Sequence, residues 1–160
     1  MADPSLKNSF TSSQWYAIFN TEDQLISISS ADTFVTLDFS DANWQTTSNY
    51  NDFAMNSNRV GVNLNYGVYL LNVSFNSKGA TNKNLAMAFN VENDGANTKS
   101  TIFQWNSKGG NIWSLNHSAI MPISGASSLD KGLITLVFKN SEDTVNFTVF
   151  NLCVTFIKLM

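Results

Sequence analysis

The chain has 160 residues and a net charge of −3, with 43% hydrophobic and 12% aromatic residues but only 13% charged ones. That is enough apolar material for the core of one domain, while the polar surface must come mainly from uncharged Asn, Ser and Thr. A single arginine (Arg59) and scattered lysines exclude the clustered cations of a nucleic-acid groove, and a single cysteine (Cys153) excludes an internal disulfide and paired-CxxC zinc layouts.

In chain order, residues 1–14 (MADPSLKNSFTSSQ) come first, a polar arm whose large apolar residues past the initiator are Leu6 and Phe10. It lacks a basic stretch followed by an apolar one, so no signal peptide is expected, and no run of 18 apolar residues suggests a membrane span. A single domain is expected over 15–160. Short runs with period two then recur, at 15–19, 25–29, 33–39, 59–64, 67–75, 84–91, 100–105, 111–120, 133–139 and 145–159. In the fifth run Tyr69, Leu71, Val73 and Phe75 share one face. In the sixth Leu85, Met87, Phe89 and Val91 do the same. No window shows helical spacing. Asn, Asp and Gly clusters at 76–79, 93–95 and 106–110 read as turns, and 140–143 as a polar loop. The Asn-rich stretch 41–58 reads as a long connection packed by Trp44, Tyr50 and Phe53. The pattern predicts an all-β antiparallel sandwich.

The last run, VNFTVFNLCVTFIKLM, changes phase. Val145, Phe147 and Val149 share a face, and then Phe150, Leu152, Val154 and Phe156 carry the apolar side. Either a bulge near Val149–Phe150 re-aims the strand, or a second subunit covers its other face. Lys158 is the one charge in this run, so its surroundings should be wet or acidic.

Groups able to do chemistry are sparse. His117 is the only histidine and has no elbow or Gly-rich loop beside it. Cys153 reads as a small hydrophobe within a strand. NVENDG (90–95) copies half a calcium loop, but Thr101 stands where the bidentate acid should be, so a turn is expected. The triplets at Asn72, Asn116 and Asn146 read as unmodified. Trp15, Tyr16, Trp44, Trp105 and Trp113 read as core and subunit packing, with a glycan-stacking surface as the alternative. No catalytic residue, metal or cofactor is expected.

Two longer stretches carry a resemblance. RVGVNLNYGVYLLNVSFNSKG sets an aromatic residue and Gly67 directly before a long strand, and ISGASSLDKGLITLVFKN gives a Leu129-Asp130-Lys131-Gly132 turn and then an apolar strand. With the final strand, this order resembles the C1q/TNF-like jelly roll, in the divergent form found in bacteriophage virion proteins. The acid and Gly of the turn stand in changed order. The resemblance implies a homotrimer whose last strand lies at the threefold axis, with Phe147, Val149, Phe150, Leu152, Val154 and Phe156 at the trimer interface. It further implies a capsid decoration protein or short head fibre, made in the host cytoplasm and bound to the virion surface. The partners would be its own copies and the major capsid protein or another virion component, the arm docking through Leu6 and Phe10. A tip that binds a receptor or host-surface glycan, through 41–53 or 105–113, is the alternative. The single His and the lack of paired acids argue against an enzyme. The absence of disulfides argues against a secreted cytokine-like ligand.

Overall fold

The computed structural model describes residues 14–39, 43–49, 53–93, 96–108, 111–124, 131–142 and 144–159. Within them, alternation builds thirteen strands: β1 Trp15–Asn20, β2 Gln24–Ile28, β3 Val35–Thr36, β4 Gln45–Ser48, β5 Ala54–Met55, β6 Gly61–Asn65, β7 Gly67–Gly79, β8 Lys83–Asn93, β9 Ala96–Lys99, β10 Phe103–Ser107, β11 Trp113–Ile123, β12 Lys131–Asn140 and β13 Val145–Lys158. All pairings are antiparallel. One sheet runs β11-β7-β13-β1-β4, with β2 also on β13. The other runs β10-β8-β12-β6-β5, with β3 on β12 and β9 on β8. This is a two-sheet jelly-roll sandwich, as the alternation and the resemblance predict.

Strict alternation on β7 puts Tyr69, Leu71, Val73 and Phe75 into the core and Val68, Leu70, Asn72, Ser74 and Asn76 on the other face. Between the sheets, Phe75 meets Trp105 and Phe138 edge-on at 5.6 and 5.8 Å, and Phe147 packs on the same two rings at 6.2 and 5.8 Å. Each fully buried aromatic contributes about 1.5–3 kcal/mol through the water it sheds.

Three expectations change. The stretch 41–58 is more than a connection, because it supplies β4 and β5. Gln45–Ser48 is exposed throughout, so it has no apolar alternation to reveal it, and its pairing with β1 makes it a strand. Trp44 and Phe53 do pack inward as expected, Trp44 edge-on to Phe39 at 4.7 Å and Phe53 against Tyr16 and Tyr69 at 6.0 Å. The turn expected at 76–79 falls later. β7 continues to Gly79, and the chain crosses to the other sheet through Gly79, Ala80 and Asn82 at φ 84°, 51° and 56°. The strand expected at 33–39 pairs by ladder only at Val35–Thr36, although Leu37 and Phe39 continue inward as buried side chains.

Gly61 marks a close approach of β6 to β12. A Cβ there would lie 2.3 Å from the Ile134 carbonyl oxygen, so no side chain fits.

Candidate interaction surface

The phase switch in the last strand resolves as a β-bulge. The register of β13 against β7 jumps between Phe150 and Cys153, and Asn151 takes a left-handed φ of 49°. Asn tolerates that conformation better than most residues, so it sits where the extra residue must turn. The bulge keeps the apolar side chains of both halves facing inward. Phe147, Val149, Leu152, Val154 and Phe156 are therefore at most 3% exposed, within the core of their own sandwich. This corrects the trimer-interface expectation for those five, since side chains already enclosed by their own chain have no surface to offer a partner. Phe150 differs. It is half-buried on the outer face, with the Lys78 ammonium 4.9 Å from its ring centre. Lys158 is half-buried at the strand's end. Leu6 and Phe10 lie outside the described residues.

The expected aromatic surface is also redistributed. Tyr16, Trp44 and Trp105 are buried, and Trp15 and Trp113 are half-buried. Trp15 belongs to a pattern that no single stretch of sequence displays. On the outer face of the six-stranded sheet, Trp15 pairs with Ile157, Ile157 with Leu70, and Leu70 with Ile120. This is a continuous apolar row across four strands, with Ile120 64% exposed. The next row reads Ala17, Thr155, Asn72, Ser118, and the one after it Phe19, Cys153, Ser74, Asn116. None of these residues is charged. Neutral cross-strand bonds fill the polar part: Ser118 Oγ donates to Asn72 Oδ1 and Ser114 Oγ to Asn76 Oδ1, each at 2.9 Å. Past the apolar row, Tyr66, Val68, Pro122 and Ile123 line an apolar hollow of about 300 Å3, and Leu159 nearby is 47% exposed. Charge depletion with an apolar centre is the compositional mark of a protein–protein interface.

His117 serves packing. Its ring stacks on Phe103 at 5.5 Å and Phe89 at 6.3 Å, and it hydrogen-bonds the Thr101 backbone. Burial pushes its pKa down, and the bond to Thr101 partly opposes that.

No protein-family model matches the chain, and no curated protein matches it in sequence. Solved structures do match its shape. The Eiger TNF from S. frugiperda superposes with a TM-score of 0.63 at 13% identity, over 92% of this chain and 94% of that one. Murine APRIL gives 0.59 at 12% identity, over 91% and 99%. The PRD1 vertex protein P5 gives 0.54 at 14% identity, over 92% and 97%. At these identities the likeness concerns the fold, and the fold is a TNF-like jelly roll.

Proposed function

We propose that this chain is a structural protein of a virus particle, assembling as a homotrimer that decorates a capsid surface or forms a short head fibre. The observation that carries the reading is the Trp15–Ile157–Leu70–Ile120 row on the outer face of the six-stranded sheet, with two uncharged rows beside it. A face with that composition is suited to burial against sister subunits. The sequence resemblance to the virion form of the jelly roll implies the same assembly. The shared shape of the PRD1 vertex protein, over nearly its whole length, supports a place on the particle.

The role is mechanical. A trimer bound across neighbouring shell subunits buries surface only while the shell is intact, so it stabilises the assembled state by mass action. Quantitative mass spectrometry of purified particles tests this. Hundreds of copies per particle indicate shell decoration, and a handful indicate a fibre. Absence from purified particles overturns the reading.

A further inference from the structure

A second surface lies on the opposite sheet, and it is a groove. On the outer face of the seven-stranded sheet, Ala86 pairs with Gln104 on one side and Lys139 on the other. The small alanine between two long side chains leaves a cavity of about 330 Å3, lined also by Asn84, Leu85, Trp105 and Ser141. That is within the range of small-ligand clefts.

The groove's polar groups are neutral or neutralised, and Asn84 is pre-set. Asn106 Nδ2 donates to Asn84 Oδ1 at 2.7 Å, and Asn84 Nδ2 donates to Glu142 Oε1. These bonds fix the Asn84 amide while leaving it one free N–H and one free lone pair. The Gln104 amide and the Ser141 hydroxyl make no hydrogen bond among the described residues. Lys139 is compensated by Asp32 at 2.9 Å, and its ammonium lies 5.4 Å from the Phe34 ring centre. The cavity therefore presents amide and hydroxyl donors and acceptors without an unpaired cation. An anionic ligand finds the lining cation, Lys139, already paired with Asp32, and the Trp105 ring beside the groove is 8% exposed because it packs on Phe75 and Phe147.

We propose that this groove binds a neutral saccharide, whose adjacent hydroxyls each donate and accept and so match the fixed Asn84 amide and the uncommitted Gln104 amide and Ser141 hydroxyl. This goes beyond the structural role and does not rest on the trimer, because the groove and the apolar row are on opposite sheets.

The test is a printed array of neutral and acidic oligosaccharides probed with the whole chain, followed by NMR titration of the best neutral binder. Saturable shifts centred on the Asn84 and Gln104 side-chain amides are expected. Ala86→Leu fills the groove and should abolish them, and Gln104→Ala should weaken binding about tenfold. If Ala86→Leu does not fold, Gln104→Ala on the exposed face decides. No array signal, signal only from acidic sugars, or binding unchanged in the folded variants overturns the proposal.

Discussion

His117, the only histidine in the sequence, is drawn inward as a packing residue rather than left at the surface. Its ring lies against Phe89 and Phe103, its Nε2 is buried without a partner among the described residues, and its other nitrogen is left to serve the Thr101 bond. Burial lowers its pKa in the folded state below the ordinary 6.5. The sign follows: as pH falls through the unfolded value, the unfolded chain takes up a proton that the folded chain resists, so stability is lost on acidification. Thermal melts from about pH 7.5 to about pH 5.5 should show a falling Tm, above the range where carboxylates titrate. His117→Gln cannot charge, so its Tm should be flatter across that window. Parallel curves for the two proteins would show that His117 is solvated. Nothing in the residue's sequence surroundings disclosed this stack, because Phe89 and Phe103 come from β8 and β10 of the facing sheet.

At the scale of the element, β13 is the instructive strand. Its phase change was legible in the sequence, and so was the choice between a bulge and a covering subunit. The structure selects the bulge, with Asn151 left-handed at φ 49°. A β-branched residue resists that conformation, whereas glycine accepts it. Asn151→Val should therefore lose about 1–2 kcal/mol in urea unfolding, with Asn151→Gly near wild type. Equal stability of the valine variant would mean the register shift lies elsewhere. Long strands such as β7, β8 and β13 were legible because one face is buried and the period of two is written in their side chains. β4 was not, because it is a polar strand exposed on both faces and held only by its pairing with β1. The late turn after Gly79 was missed for a related reason: Asn76 and Lys78 carry turn-like chemistry but stand on the outer face of β7, where polar residues belong.

For the whole molecule, the proposed trimer would rest on a face made by four strands far apart in sequence. Light scattering of the eluted protein should give a trimer at micromolar concentration, and a stable monomer would overturn the homotrimer. Leu70→Asp places a carboxylate in the centre of the apolar row, where burial without a partner costs about 3–5 kcal/mol. It should dissociate the assembly while leaving the far-ultraviolet circular dichroism of the subunit unchanged, since Leu70 faces outward. A Leu70→Asp variant that remains trimeric would place the subunit contact on another surface.

What the sequence by itself determined was the all-β class, the inward residues of the long strands, the inward packing of Trp44 and Phe53, and the break in the last strand. These depend on local alternation and turn chemistry, which are properties of neighbours along the chain. Only the tertiary structure decided that the last strand's apolar residues are enclosed by their own sandwich, and that Trp15, Leu70, Ile120 and Ile157 form one row. It also set Ala86, Gln104 and Lys139 side by side across a groove. Those facts depend on strand order and register. Both are fixed by long-range pairing in the folded sheets, which short-range spacing does not encode.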